Sequence, residues 1–169
     1  MSVSMYQATI PVLVKTLTNL KSVLQKGAAH AAAKKIEEAV LLRSRLFPDM
    51  LDLTRQVQIA SDIARGTAAR LAGTEPPAWE DKEQSFAELG ERLDRTIQFL
   101  QGIQPAQMEG AETREIVRPV RGQPHTFSGI NYLQQFGLPN VFFHAATAYG
   151  LLRHGGVELG KADFLGNLD

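Results

Sequence analysis

Apolar residues recur at alternating intervals of four and three near the start of the chain. This spacing places them on one face of an α-helix and predicts a first helix from about Met5. Ser4 and Gln7 have the spacing of a capping box at its start. Pro11 removes a backbone donor and predicts a bend, whereas Gly27 predicts the end of the helix. The apolar stripe comprises Tyr6, Ile10, Leu13, Leu17, Leu20 and Leu24.

The helical pattern weakens over residues 28–47, which we predict to form an irregular connection with one helical turn. Pro48 and Asp49 predict the start of a second helix. Proline suits the first helical position, and a carboxylate suits the positive end of the helix dipole. Gly73 predicts the end of this helix. Its inward stripe comprises Met50, Leu53, Val57, Ala60, Ala64 and Leu71.

Two more segments have helical periodicity. Residues 74–81 contain two adjacent prolines and predict a linker, after which a third helix extends to Gly102 and is terminated by Pro105. Its stripe comprises Phe86, Leu89, Leu93, Ile97 and Leu100. Ser128 is a suitable cap for a fourth helix that ends near His154. Within that helix, Gly137 and Pro139 predict a kink.

Between the third and fourth helices the helical spacing is lost. Residues 114–120 alternate in part and contain β-branched side chains, and residues 125–127 can form a returning strand across a turn at Arg121 and Gly122. Four amphipathic segments each need a partner for their apolar face, and mutual packing is the simplest solution. The sequence therefore predicts an all-α fold, with residues 1–169 forming one four-helix-bundle domain and a small β-hairpin before the last helix.

Composition narrows the classes of partner. Lys plus Arg and Asp plus Glu number 18 each, and the longest basic tract is the pair Lys34 and Lys35. Nucleic-acid binding depends on clusters of basic side chains, so no nucleic-acid partner is predicted. The chain has no cysteine, which excludes disulfides, thiolate metal ligands and a cysteine nucleophile. Pro11 and Lys15 interrupt the first apolar run, so we expect no signal peptide or membrane span and predict a cytoplasmic protein.

His144 is the first candidate functional residue. On a helix it shares a face with Asn140, four residues earlier, beside the apolar pair Phe142 and Phe143. A buried imidazole beside an amide can be a metal ligand, a general base or a hydrogen-bonded core residue, and the sequence leaves all three open.

Gln56 lies on the inward stripe of the second helix. A buried amide needs partners, because leaving it unsatisfied costs about 1–3 kcal/mol. Gln56 can meet Asn140 or His144 across the bundle, or it can bond to a backbone carbonyl at the rim beside Gln58.

The remaining candidates have simpler explanations. Asp62 and Tyr149 lie off the main stripes and are expected near the surface, and His125 is expected to be exposed in the hairpin. His30 and His154 lie near helix ends, where a charged imidazole complements the helix dipole. The sequence contains no nucleophile elbow, phosphate loop or Glu-x-x-His pair, so no catalytic residue is assigned.

Several short segments resemble a known bacterial family. They are SMYQ (4–7), RQVQIA (55–60), LPNVFFHAATAY (138–149), LLRHGGV (151–157) and GKADFLG (160–166). Over essentially the whole chain, the sequence is similar to the family of domains of unknown function numbered nineteen ninety-three. That family is similar in fold to the DinB and YfiT-like metalloenzymes, which are four-helix bundles and are often dimeric.

The resemblance implies a divalent metal held by three histidines, one on the second helix and two on the last. Some relatives in this superfamily act as thiol-dependent transferases or isomerases. On this pattern His144 matches the second histidine of the last helix and Asn140 matches the first. The ligand on the second helix falls among Gln56, Gln58 and Asp62. Zinc and nickel prefer nitrogen or sulfur donors, so one imidazole with neutral amides is a poor site for either metal.

Three functions follow from these observations. The first is a degenerate metal-site region that binds a small molecule through Gln56, Asn140 and His144, with no metal ligand assigned. The second is a divalent-metal-dependent transferase or hydrolase that uses His144, with Asp62 or His125 as further ligands. The third is a non-catalytic homodimer with an ordinary core, which exposed Trp79 or Phe86 would favour.

Overall fold

The structure is a computed structural model that describes residues 3–168. Its first helix, α1 (Met5–Lys34), has the predicted capping box: the Ser4 hydroxyl accepts from the Gln7 amide at 3.1 Å, and the Gln7 side chain accepts from the Ser4 amide at 3.0 Å. The predicted end at Gly27 is wrong. A Cβ there would lie 3.0 Å from Leu152 and 3.1 Å from Phe86. Gly27 therefore allows two other helices to approach α1, and the helix ends instead at Lys34, with Lys35 as its cap.

The second long helix begins later than predicted. A short helix, α2 (Glu38–Leu42), follows α1, and α3 spans Leu53–Leu71. The predicted start at Pro48 and Asp49 is wrong because Asp52 is the residue that caps α3, accepting from the Arg55 amide at 2.9 Å. Residues 47–50 form a turn in which the Met50 amide donates to the Phe47 carbonyl at 3.0 Å.

The third helix and the hairpin agree with the sequence predictions. Helix α4 (Phe86–Gly102) is capped by Ser85, and a single 3-10 turn, Pro105–Met108, follows it. Strands β1 (Glu115–Val120) and β2 (Gln123–Ser128) pair antiparallel. Arg121 (φ 50°) and Gly122 (φ 79°) form the turn between them. The paired residues Ile116 and Phe127 are both buried, so they anchor the hairpin to the bundle.

The last long helix contains a wider turn where a kink is predicted. Helix α5 (Gly129–Tyr132) continues through a π-helical turn, Leu133–Gly137, into α6 (Leu138–His154). The Leu138 amide donates to the Leu133 carbonyl, five residues back. Pro139 cannot donate a backbone hydrogen bond, which favours this rearrangement. A π turn contains one more residue than an α turn, so this turn sets which α6 side chains face α3.

Helices α1, α3, α4 and α6 form a four-helix bundle, as predicted. α3 packs mainly against α6, and α1 packs mainly against α4. The short helix α7 (Lys161–Leu165) lies on α1, where the Asn19 amide donates to the Phe164 carbonyl at 3.0 Å. The helices of residues 3–168 include none with the length and apolar character needed to cross a membrane. The innermost side chains include Leu13, Leu17, Leu53, Val57, Ala60, Leu89, Leu93 and Val141.

We expect Gly137→Ala to lower the free energy of unfolding by about 1–3 kcal/mol, the usual cost of overpacking a close contact. A Cβ at this position would lie 2.6 Å from Thr67 Cγ2 and 2.8 Å from Thr67 Oγ1. Gly150→Ala on α6 is the matched control, because no atom lies within 4 Å of its Cβ position. Urea unfolding of both variants tests this. Equal stabilities would show that α3 and α6 do not approach closely at the π turn.

Candidate functional site

The structure brings together two of the three predicted site residues. His144 lies on α6 and Gln56 on α3, and the Nδ1 atom of His144 is 2.7 Å from the side-chain oxygen of Gln56. The Gln56 amide nitrogen donates to the Leu51 carbonyl at 3.1 Å. This second bond fixes the orientation of the amide, so its oxygen faces the imidazole. Because amide oxygens only accept, Nδ1 of His144 carries the proton.

The protonation of His144 follows from this geometry and from its surroundings. Gln56 is buried and His144 is half-buried. Burial lowers the pKa of His144 from its ordinary value of 6.5, so the ring is neutral at pH 7. In a neutral ring with the proton on Nδ1, the Nε2 atom keeps a lone pair. Nε2 has no hydrogen-bond partner among the described residues. The site therefore offers one acceptor of hydrogen bonds.

Asn140, the third predicted residue, has a local role. Its amide nitrogen donates to the Phe136 carbonyl at 2.6 Å, within the π turn. No hydrogen bond joins it to Gln56 or His144 in the described part of the chain. Asn140 shares a helix face with His144 but helps to hold the π turn that precedes it.

The residues at this site do not fit the divalent metal that the resemblance implies. Within residues 3–168, no three His, Asp or Glu side chains lie close enough together to hold a metal ion. The amide oxygen of Gln56 already accepts from His144, and the two amide nitrogens bond to carbonyl groups. One neutral imidazole remains, which is fewer donors than the three or four that zinc sites use.

The other histidines and Asp62 lie elsewhere. Asp62 binds Arg65 at 2.9 Å and Arg92 at 2.7 Å, so it is not a partner of His144. His125 is exposed on β2 and its ring contacts Phe127. Neither of these residues supplies the additional metal ligand that the enzyme hypothesis requires.

A buried charge cluster was missed by the sequence analysis. The Arg92 side chain on α4 is 0% exposed and pairs with Asp62, Asp81 and Glu83 at 2.7, 2.8 and 2.9 Å. Ser61 and the Glu80 carbonyl accept its remaining hydrogen bonds. Two signals for it exist in the sequence: an arginine next to Leu93 on an apolar helix face, and an acidic linker just before that helix. Neither signal predicts which residues Arg92 contacts.

An aromatic side chain lies beside the imidazole. The Phe143 ring lies edge-on to the His144 ring, with centroids 5.1 Å apart, and Phe143 is 55% exposed. Leu51, whose carbonyl binds Gln56, is 41% exposed. Five surface clefts elsewhere on the described chain are lined by other residues. The candidate site therefore presents one polar acceptor beside an exposed aromatic side chain.

The four-helix bundle and its hairpin resemble a solved structure from the DinB family. The structure is similar to the crystal structure of a DinB family member protein from Shewanella denitrificans, with a TM-score of 0.92 and 40% sequence identity. The match covers 97% of this chain and 93% of that one. The chain belongs to DUF1993, a family described as a domain of unknown function, which matches residues 5–165. The search of curated proteins found no significant match.

We expect the Gln56–His144 hydrogen bond to give a measurable coupling energy. His144→Leu leaves the buried Gln56 oxygen without its partner, and Gln56→Leu leaves Nδ1 without its acceptor, so each lowers stability by about 1–2 kcal/mol. The double variant is expected to lose less than the sum of the two single losses, because it leaves neither group unpaired. Urea unfolding of the four proteins measures this, and additive losses would show that the two side chains do not interact.

Proposed function

We propose that this protein binds a small, uncharged organic molecule through the Nε2 atom of His144. The observation that carries the proposal is the 2.7 Å contact between Nδ1 of His144 and the oxygen of Gln56. This contact holds the ring in one tautomer, with the lone pair of Nε2 free to accept a hydrogen bond. The ligand must therefore carry a donor, such as a hydroxyl or amide group.

The surroundings of His144 favour a ligand with an apolar body. Phe143 is an exposed apolar side chain against the His144 ring, and burying it against a ligand removes apolar surface from water. His144 and Gln56 are both neutral at pH 7, so the pair offers no charge to a ligand, which favours a neutral one.

The divalent-metal enzyme is the second candidate and is less well supported. The fold carries this hypothesis, but the amides of Gln56 and Asn140 bond within the protein instead of offering free donors. Metal analysis of untagged protein tests it. Stoichiometric zinc, nickel, iron or manganese, with a higher melting temperature on adding the metal, would favour this candidate over the small-molecule site.

The homodimer remains a proposal with a different interface from the one that the sequence indicated. Phe86 is 3% exposed and packs inside the bundle, and Trp79 is half-buried against the Arg65 and Arg95 side chains. Exposed apolar side chains lie instead at Leu46, Phe47 and Phe143. Light scattering tests the proposal: a mass twice 18.6 kDa is expected for a dimer, and a strict monomer contradicts it.

Phenol and anisole form a matched pair of probes for the His144 site. Both carry an aromatic ring, but only phenol can donate a hydrogen bond to Nε2. We expect phenol to shift the NMR signals of residues around His144 in a saturable way, with anisole binding at least about fivefold more weakly, the effect of about 1 kcal/mol for one hydrogen bond. Acid is expected to weaken phenol binding, because a protonated Nε2 no longer accepts.

Two variants are controls for the probe experiment. His144→Leu removes the acceptor and is expected to make phenol and anisole bind equally weakly. His125→Leu removes an exposed histidine on the hairpin and is expected to change neither affinity. Equal binding of phenol and anisole to the wild-type protein, or an unchanged preference in His144→Leu, would refute the proposed site.

A further inference from the structure

The linker between α3 and α4 contains an unusual acidic segment, residues 79–83, which we call the acidic strap. Its sequence is Trp-Glu-Asp-Lys-Glu. Residues 73–85 are all exposed or half-buried, although the Glu83 side chain itself is only 8% exposed. The strap is nevertheless held against α3 and α4, and the contacts that hold it are ionic, polar or aromatic. It therefore differs from the helices, which are held by buried apolar side chains.

The strap places two carboxylates on arginine side chains of the two helices. Asp81 binds Arg55 at 2.5 Å and Arg92 at 2.8 Å. Glu83 binds Arg92 at 2.9 Å and accepts from the Gln58 amide at 2.8 Å. The contacts with arginine and the hydrogen bonds from their neighbours lower the pKa of both carboxyl groups, although burial alone would raise it. Both are therefore charged at neutral pH.

Trp79 covers two more arginine side chains. The guanidinium carbon of Arg65 lies 3.9 Å from the centre of the Trp79 ring, and that of Arg95 lies 4.3 Å from it. Both distances are within the range of cation–π contacts. The acidic strap thus contacts four arginines. Trp79 lies against Arg65 and Arg95. Asp81 binds Arg55 and Arg92, and Glu83 binds Arg92.

Two of these arginines, Arg65 and Arg92, are both buried but differ in how well they are satisfied. All the nitrogens of Arg92 have partners, and its pKa is raised: burial lowers it, but Glu83 and Asp62 more than offset the burial. Arg65 is 93% buried in its side chain and pairs with Asp62 alone, and its Nε and Nη1 atoms are buried without a partner. Burial lowers its pKa. Unsatisfied buried donors of this kind are rare in proteins and cost about 1–3 kcal/mol each.

Release of the strap would uncover a strongly cationic surface. Asp62 is the one carboxylate on the helices that pairs with these arginines in residues 3–168. The nearby Glu88 accepts from the Gln84 amide, and Asp94 pairs with Lys21. Four guanidinium groups would then face Asp62, with Glu88 and Glu91 lining the same cleft as Arg92 and Arg95. Release would expose no buried apolar side chain of the strap, and water would reach the unpaired donors of Arg65.

We infer that the arginines contacted by the acidic strap form a binding site for a small molecule with two or more carboxylates. In the structure, the strap itself occupies this site. Asp81 and Glu83 present two carboxylates to the arginines in the way that such a ligand would, and arginine pairs well with carboxylates. The ligand and the strap then compete for Arg55, Arg65, Arg92 and Arg95. The site is separate from His144, so this inference is tested independently of the proposed function.

Trp79 makes this competition measurable, because it is the single tryptophan of the chain. Citrate is the probe, added at constant ionic strength with sodium chloride as the balancing salt. We expect a saturable change in Trp79 fluorescence as citrate displaces the strap and removes the ring from Arg65 and Arg95. Inorganic phosphate at equal ionic strength is expected to act much more weakly. Phosphate binding as tight as citrate binding would overturn the assignment of a carboxylate ligand.

Variants of the strap give the decisive signature. Asp81→Asn removes one charge that holds the strap, so the open state becomes more populated and citrate is expected to bind at about five- to tenfold lower concentration. Glu80→Gln removes the same charge from an 80% exposed side chain of the strap and is expected to leave citrate binding unchanged. Glu83→Gln is a second strap variant, with the same expected direction as Asp81→Asn, in case Asp81→Asn does not fold.

A variant of the helices tests the site itself. Arg95→Gln removes an exposed arginine that contacts Trp79. It is expected to weaken citrate binding at least about fivefold, because one charge-assisted contact with citrate is lost. The inference is overturned if citrate gives no saturable change in Trp79 fluorescence. It is also overturned if Asp81→Asn or Glu83→Gln binds citrate no more tightly than Glu80→Gln.

Discussion

Arg92→Met is expected to lower the free energy of unfolding by about 3 kcal/mol, the usual cost of removing one partner from a buried ion pair. Arg92 is fully buried, and its loss leaves Glu83 without an arginine partner, whereas Asp62 and Asp81 keep one each, Arg65 and Arg55. Of the three carboxylates, Glu83 is the most destabilised, because its side chain is only 8% exposed. Urea unfolding followed by circular dichroism measures the change.

Arg95→Met is the matched control for Arg92→Met. Arg95 lies one helical turn further along α4, and its side chain is exposed over Trp79 without a carboxylate partner in the described chain. Its replacement is expected to cost less than about 1 kcal/mol, because one exposed cation–π contact is lost. Similar losses in the two variants would show that the buried cluster is not what stabilises the α3–α4 contact.

Gly129→Ala is expected to have an effect of similar size, at about 3 kcal/mol or more, at the upper end for overpacking. A Cβ on Gly129 would overlap the Ala111 carbonyl oxygen and lie 3.0 Å from its carbon. These are backbone atoms, and they cannot move aside as a flexible side chain can. Ala111 is fully buried, and the Ile130 amide bonds to the neighbouring Glu112 carbonyl at 3.0 Å. The substitution therefore separates α5 from the segment before β1.

Gly90→Ala is the control for this glycine. Gly90 lies inside α4 with no atom within 4 Å of its Cβ position, so alanine is expected to stabilise the protein by about 0.5–1 kcal/mol through helix propensity. The two variants thus have opposite signs in one urea-unfolding experiment. A neutral Gly129→Ala would mean that the start of α5 is not packed against residues 111 and 112.

Local sequence signals gave correct predictions where one or two residues determine a helix cap or a turn. Ser4 and Gln7 form the predicted cap, and the turn at Gly122 produces the predicted hairpin. The signals failed where tertiary contacts decide. Gly27 looks like a helix terminator, but it is a contact point for Leu152 and Phe86. Likewise, Pro48 can begin a helix, but the helix begins five residues later, at Leu53, where the Asp52 side chain caps it.

The candidate site shows the same division. Helical spacing alone predicted that Gln56 points inward, and the resemblance placed His144 opposite the second long helix. Their 2.7 Å contact follows from both. Asn140 was grouped with them by spacing, but its short side chain donates to the Phe136 carbonyl in the π turn instead. The Arg92 cluster could not be predicted, because it needs a linker of irregular conformation to fold back over two helices.

The protonation state of the His144 ring is the most direct test of the account, and nitrogen-detected NMR of the imidazole measures it. We predict that Nδ1 carries the proton and Nε2 is unprotonated from pH 7 upward, and that His144 titrates below 6.5. Since its folded pKa is lowered, His144 stabilises the fold fully above the unfolded pKa, and this stability falls as the pH drops through 6.5 toward the folded pKa. His144→Leu should lack that part of the pH dependence. A proton on Nε2 in the neutral ring, or a charged ring at pH 7, would contradict the account.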